Sequence, residues 1–483
     1  MIPLAKAIPI TGLAPDDEPT KPGVIIDCVN MVPTTNGVKA SYGFYNADAR
    51  SDTPDAATCI FRTRDTAGAE VLVLGSSAQL SVFTDPYSWE TRVNTSVTAA
   101  AQPWQMAQFG NAVLATGYAQ RIKQASASGG WVFTEIADAP KAKLIVSAAN
   151  FVLAFGTNDA TYGEQGDRWW CSAINDHSSW TPSLSTQATT GRIVQDGGGF
   201  KAALPLGQNV VAYKDRSMFV GSYVGSPVVW QWDRAPGYAG AAGPGCVCDI
   251  GGAHFIVGPD GFWIFDGVRP QQVGFDVISQ SFFRRMSLTS DAKKVLCYYD
   301  RPTTCVHVWY VAAYDSGVMD SCLVYNVTTG AWGKRKHSQQ IHAVGSVGEY
   351  GNPSVGRHTQ ALSVYDPATY SFRLAIESNS ETTGQTSITT GVFGDYSTST
   401  RVLDLRLTCA SGEATGATVE GYTGRSPGAV TTLAGTGVEM DGKIPVRQHD
   451  RWHKFKISLP YVYGSAAQEI RAITVNGVTG GSR

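Results

Sequence analysis

The chain has 483 residues, 43% of them apolar and 16% charged, with 52 glycines, 12 tryptophans, 20 tyrosines and a net charge of −2. The charged share lies below the roughly 25% of an average soluble protein, and the near-neutral balance excludes a protein that grips nucleic acid by bulk charge. So much apolar and aromatic material also excludes a disordered chain, and low charge suits one that hides surface in an assembly.

Residues 1–50 open with MIPLAKAIPITGLAPDD, in which no charged segment leads into a continuous apolar stretch. No secretory signal is expected, and no run approaches the about 18 apolar residues of a membrane span. The Pro-rich surroundings of Asp16, Asp17 and Glu18 predict an extended N-terminal arm that contacts a platform, rather than a catalytic carboxylate pair.

From residue 51 onward, short apolar or alternating runs are bounded by Gly, Asn, Asp and Pro, the pattern of strands and turns. They recur as units: residues 57–85, 104–136, 143–174, 200–233, 246–273 and 294–335. Each unit offers three or four strands and, with its connection to the next, takes roughly 40–50 residues, the period of a β-propeller blade. Turn residues support the units: Gly156 to Asp159, Gly258-Pro259-Asp260-Gly261, Asp266-Gly267 and Asn326-Val327-Thr328-Thr329-Gly330 all sit between strand-like runs. One helix of about three turns is predicted over 276–286 (DVISQSFFRRM), with Val277, Ile278, Phe282 and Phe283 for its buried face. IHAVGSV and ALSVYD either close the ring or begin another domain. The final hundred residues carry longer alternating runs. In LDLRLTC, Leu403, Leu405 and Leu407 are expected to point one way and Asp404, Arg406 and Thr408 the other. The expected fold is therefore all-β. It comprises an arm over 1–50, an irregular β-propeller of about six blades over 51–345, and a β-sandwich-like domain over 346–483.

Nine cysteines, an odd number, lie mostly in apolar runs, as Cys171, Cys297 and Cys322 do. Buried free thiols made in a reducing compartment are expected. Cys246-x-Cys248 has too short a spacing for zinc and no second pair. Gly424-Arg425-Ser426-Pro427-Gly428 matches a hydrolase elbow in letters only, because Pro427 follows the serine and no helix follows. His337, His342 and His358 have no carboxylate pattern beside them. No phosphate-binding loop or dinucleotide fingerprint appears, and neither a cofactor nor an enzymatic activity is expected. Trp169-Trp170 and Trp230-x-Trp232 read as packing between blades, with stacking on sugars or bases as the other use. Asn94-Thr95-Ser96 and Asn326-Val327-Thr328 match glycosylation sequons without a secretory context.

Residues 24–44 read VIIDCVNMVPTTNGVKASYGF, and residues 447–478 read RQHDRWHKFKISLPYVYGSAAQEIRAITVNGV. These two ends resemble the tail-nozzle or packaged-DNA-stabilisation proteins of short-tailed bacteriophages, with Tyr42-Gly43 standing where the family has Pro-Gly. The resemblance implies a structural protein of the virion tail, made in the bacterial host cytoplasm. Six copies would form a ring on the tail adaptor, the head-to-tail connector, and meet a needle or plug and fibres or spikes. The ring would extend a channel that retains double-stranded DNA and passes it without sequence specificity. A near-neutral wall suits sliding, since each phosphate neutralised adds affinity. The alternative is a propeller enzyme or binding module acting on cell-surface polysaccharide. It needs converging carboxylates, whereas Asp215, Asp233, Asp260, Asp266 and Asp300 are scattered along the chain.

Candidate DNA-channel or interface residues are the basic run Lys334, Arg335 and Lys336, and the C-terminal group Arg451, His453, Lys454 and Lys456. Alternation places Arg451, His453 and Phe455 on one face of a strand and Trp452, Lys454 and Lys456 on the other. Arg284-Arg285 needs no DNA, because a helix C-terminus favours cations.

Overall fold

A computed structural model describes residues 2–46, 52–53, 55–65, 67–84, 92–284, 294–312, 317–346, 360–366, 371–378, 384–410, 416–459 and 469–482. The fold is all-β: a propeller joined to a two-sheet domain. Six separate four-stranded sheets stand around the ring, and a seventh four-stranded unit runs on into a larger sheet.

The middle strands explain why propeller sequences lose their alternation. Phe151 to Phe155 and the whole of Cys305–Val311 are buried, because both faces of a blade pack on neighbouring blades. In chain order, blade 1 starts at Cys59–Arg64, blade 2 at Gln105–Phe109, blade 3 at Lys141–Ala148 and blade 4 at Ala202–Leu206. Blade 5 starts at Val247–Asp249, blade 6 at Leu296–Asp300 and blade 7 at Ile341–Ser346. Each of these first strands touches the first strand of the next blade, and that of blade 7 touches that of blade 1. The ring is closed, and its seams are apolar; the one between blades 5 and 6 shares its core with the second domain. Ile60, Leu72 and Phe83 meet Ala343, Leu374 and Ile376 between blades 1 and 7. Phe151, Phe155 and Trp169 meet Phe219 and Trp230 between blades 3 and 4.

IHAVGSV and ALSVYD close the ring: blade 7 is Ile341–Ser346, Gln360–Asp366, Ser371–Ser378 and, as its fourth strand, Gly43–Asn46. The boundary expected at residue 345 therefore falls inside a blade. The segment expected as an arm is also built into sheets. Ile2–Pro9 pairs antiparallel with Glu469–Ser482, and Val24–Val29 pairs with Thr386–Thr390. The physical reason is apolar: Ile10, Leu13, Val24, Ile25 and Cys28 are all buried, which an arm in solvent would forgo at about 1.5–3 kcal/mol for each large side chain. Asp16 adds a polar tie, accepting two 3.0 Å bonds from the Ser281 backbone N–H.

The second domain is a sandwich of two sheets. One contains Met31–Pro33, Val38–Ala40, Glu469–Ser482, Thr398–Cys409 and Ile444–Asp450, and it continues the four strands of blade 6 into a single ten-stranded sheet. The other orders Gly12–Leu13, Val24–Val29, Thr386–Thr390, Trp452–Leu459, Thr418–Gly424 and Thr432–Val438. One continuous core joins Phe255 and Phe262 of blade 5, Tyr325 and Trp332 of blade 6, and Val402, Phe455, Ile473 and Val475 of the sandwich.

Three local readings need revision. Gly156 lies inside the strand Phe151–Asp159, not in a turn; its φ of +63° makes a bulge where the register slips between Phe155 and Thr157. A register shift between Val402 and Asp404 turns Leu403 outward while Val402 and Leu405 stay buried. The expected three-turn helix is a π-helical turn over Phe275–Ser279 running into Gln280–Phe283, with Ile278 and Phe282 buried; Arg285 and Met286 lie outside the described residues.

Candidate functional site

The basic run lies on the strand Trp332–Lys336, the outer strand of blade 6, which also pairs with Met31 of the sandwich. Alternation sends Lys334 and Lys336 outward and Arg335 inward. Lys334 stands 3.4 Å from Asp27 and Lys336 3.1 Å from Asp320.

Arg335 is 1% exposed and lies at the meeting of blade 6, blade 7 and the N-terminal segment. Its Nη1 donates to Glu377 Oε1 at 2.6 Å and its Nη2 to the Tyr42 carbonyl at 2.8 Å. Its guanidinium lies 4.7 Å from the centre of the Phe44 ring. His307 borders the same small cavity, and burial, reinforced by Arg335, pushes its pKa down to about 3. Arg335 is thus a framework residue, withdrawn from DNA and from any neighbouring subunit. Sequence reasoning missed its partners because Glu377 lies in blade 7 and Tyr42 in the link before that blade's last strand, both far away in the chain.

The C-terminal group divides in the same way. His453 is fully buried, with Nδ1 2.9 Å from Gln448 Nε2, and burial drives its pKa down to about 4. Arg451 is half-buried at the turn before Trp452–Leu459. The Lys454 ammonium lies 5.2 Å from the Tyr422 ring centre, and Lys456 stands 3.5 Å from Glu420. The Tyr422 hydroxyl donates to Glu420 at 2.6 Å, and this bond, with Lys456, holds the Glu420 carboxyl below its ordinary range.

The sheet register joins these pairs. Asp27 is opposite Thr389, Thr389 opposite Lys456, and Lys456 opposite Glu420. With Lys334 beside Asp27, the outward face carries a row of alternating charge: Lys334, Asp27, Lys456, Glu420. Such a row sums to no net formal charge and lies part-exposed at the surface. At the edge of this sheet, Leu433 and Val438 on Thr432–Val438 are 55% and 60% exposed, and nearby Met440 is 67% exposed.

The remaining motifs have plain structural settings. Cys246 and Cys248 are buried in the shared core, and burial pushes the Cys246 thiol up to about 12. Gly424 ends a strand, and Pro427–Ala429 forms a single 3-10 turn. His337 is half-buried beside Phe44, and desolvation drives its pKa down to about 4; His342 packs edge-on against Phe372. His358 lies outside the described residues. Trp169, Trp230 and Trp232 pack within one seam, with Trp230 and Trp232 stacked at 6.3 Å. Among the described residues no three His, Cys, Asp or Glu side chains gather to hold a metal ion, and no helix is long and apolar enough to cross a membrane.

No family model matches the chain, and no curated protein matches it. Among solved structures, it is similar to the computationally designed Ika8 protein (TM-score 0.36, 10% identity, 68% of this chain and 97% of that one). A chain of the Mitotic Checkpoint Complex gives a TM-score of 0.40 at 6% identity, covering 68% of this chain and 97% of that one. The extracellular domain of a hybrid two component system from B. thetaiotaomicron gives 0.43 at 8% identity, covering 78% of this chain and 45% of that one. At scores and identities this low the likenesses assign the chain no role.

Proposed function

We propose that this chain is a structural subunit of a short-tailed bacteriophage tail nozzle, assembling as a hexameric ring that extends the DNA channel and seats on the tail adaptor. The observation that carries the proposal is the ten-stranded sheet that fuses blade 6 to the terminal sandwich. A wall that contains pressurised DNA must not flex between its parts, and a hydrogen-bonded sheet with one continuous core makes propeller and sandwich a single stiff body. The pairing of Lys334, Lys336 and Lys456 with acids also suits a surface past which DNA slides. The exposed apolar edge at Leu433, Val438 and Met440 is a natural subunit contact.

The test is the mass of the purified full-length chain, alone and with a cognate adaptor. A species of about 300 kDa, six copies of the 51.5-kDa chain, is expected. Leu433→Lys with Val438→Lys should reduce it to monomer without changing the melting temperature. A monomer at high concentration that also fails to form a ring on the adaptor refutes the proposal.

A further inference from the structure

The seam between blades 2 and 3 carries an open cleft of about 550 Å3 on the face of the ring where the first and third strands of each blade end. Blade 2 supplies its floor. Phe109 lies opposite Ala112, and Ala112 opposite Ser126. Gln124, two residues before Ser126 on the same strand, lies opposite Thr134. Alternation puts all five on one side of the sheet, the side that packs on blade 3. All five line the cleft.

Blade 3 supplies the wall. Its third and fourth strands are joined by residues 172–188, where blades 4 and 5 need only 226–228 and 266–269. Connections this long are uncommon in compact domains and mark functional segments. This one is fixed by its own contacts. Trp180 is fully buried in the seam, and its indole N–H donates to the His177 carbonyl at 2.9 Å. The Asn175 N–H donates to the Asn150 carbonyl at 2.9 Å. His177 is thereby held over blade 2, with its ring centre 5.5 Å from that of Phe109 and its Nε2 2.6 Å from Gln124 Oε1.

The amide oxygen can only accept, so His177 Nε2 donates and Nδ1 is left an acceptor. Burial lowers the His177 pKa, so the ring is neutral at pH 7. The Gln124 Nε2 amide is left a donor. Neither His177 Nδ1 nor Gln124 Nε2 has a partner among the described residues, and both are open to solvent. Asn111, Ser128 and Thr134 add an exposed amide and two exposed hydroxyls to the lining.

We propose that this cleft binds a neutral glycan, with a sugar ring against Phe109, one hydroxyl donating to His177 Nδ1 and another oxygen accepting from Gln124 Nε2. The chemistry selects that class. No charged side chain lines the cleft, so a phosphate, a nucleic-acid backbone or a cation finds no counter-charge there. A wholly apolar ligand would take water from the amides and hydroxyls without replacing its bonds. A sugar donates and accepts at neighbouring hydroxyls and turns a C–H face to an aromatic ring. The volume lies within the roughly 300–1,000 Å3 of small-molecule sites. The proposal concerns the propeller surface alone and holds whether or not the chain forms a ring.

The test applies the full-length chain to an array of neutral bacterial surface polysaccharides and common mono- and disaccharides, with uncharged peptides as a separate probe. Hits are titrated by calorimetry and mapped by amide hydrogen exchange. Bound glycan should slow exchange in residues 109–112, 124–134 and 172–188. His177→Phe keeps a ring against Phe109 and removes the acceptor; Gln124→Met keeps the side-chain length and removes the donor. Both variants should melt like the parent and bind the glycan at least tenfold more weakly. The proposal is overturned if no neutral sugar binds more tightly than about 10 mM, if peptides alone bind, if the protection falls outside these three segments, or if both variants keep the parent affinity.

Discussion

Replacing Glu377 by alanine should loosen the closure of the propeller. Glu377 lies on the third strand of blade 7, opposite Phe44 of the N-terminal strand that completes the blade. It takes the 2.6 Å bond from Arg335, and the two side chains are 6% and 1% exposed. Removing the carboxylate leaves a buried guanidinium whose remaining company includes the Tyr42 carbonyl and the faces of Phe44 and Trp309. Breaking a buried pair from one side costs about 3–5 kcal/mol. One charge-assisted bond accounts for about 1.5–3 kcal/mol of that, and the uncompensated charge for the rest. The damage falls first on Gly43–Asn46, a four-residue strand on the outside of the blade. Urea unfolding followed by tryptophan fluorescence should show the first transition moved to lower denaturant, and limited proteolysis should cut near this strand under conditions that spare the parent. The double variant Arg335→Met with Glu377→Leu should recover most of the loss, because an apolar pair needs no desolvation of charge. A loss under about 1 kcal/mol, with the N-terminal strand still protected, would refute the reasoning.

Acid should destabilise the fold well above the carboxylate range. Burial holds His307 to about 3 and His337 and His453 to about 4, so the folded state keeps all three neutral while the unfolded chain takes up protons near 6.5. Their contribution is complete above about pH 6.5 and shrinks as pH falls toward 4, by at most about 1.4 kcal/mol per pH unit for each histidine. Melting temperatures between pH 7.5 and 4.5 should fall, and His453→Gln should make the fall shallower; a flat profile would contradict the burial argument. Two glycine substitutions should differ sharply. Gly330 has φ +73° and open space where a Cβ would stand, so Gly330→Ala should cost only the backbone strain, about 1–2 kcal/mol. A Cβ on Gly435 would come 2.1 Å from the Val446 carbonyl oxygen, so Gly435→Ala should cost distinctly more in the same thermal unfolding assay.

The strands were legible because their cause is local. Val71 to Leu74, Val113 to Ala115 and Val306 to Trp309 announce buried middle strands by composition alone. The turn at 326–330 is equally local: the Asn326 side chain accepts the backbone N–H groups of Thr328 and Thr329 at 2.9 and 3.0 Å, and Gly330 supplies the positive φ. What the sequence hides is pairing over distance. Nothing within Gly43–Asn46 says that it will lie beside Ser371–Ser378, and nothing in Lys334-Arg335-Lys336 says that the middle cation meets Glu377. A one-residue slip is equally silent, as Leu403 shows: the alternation is correct on either side of the shift and inverted across it. In the C-terminal strand the alternation survives, so His453 and Phe455 turn inward together while Lys454 and Lys456 stay half-exposed.

The way the chain ends are used explains why the two domains behave as one. The N-terminal segment supplies strands to both sheets of the sandwich and then the last strand of blade 7, so it is common to both domains. Blade 6 supplies the joint: its outer strand pairs with Met31, and Trp332 on that strand lies against Phe255 and Phe262 of blade 5. Rotating the sandwich against the propeller would part that pairing and open a core that also contains Ile25, Val402 and Phe455. Each large side chain so exposed costs about 1.5–3 kcal/mol, so separating five of them costs about as much as the roughly 5–15 kcal/mol that holds a typical domain folded. A hinge at this joint would therefore have to open much of the shared core. The row of Lys334, Asp27, Lys456 and Glu420 lies on the outer face of the sandwich, beside the joint and clear of that core.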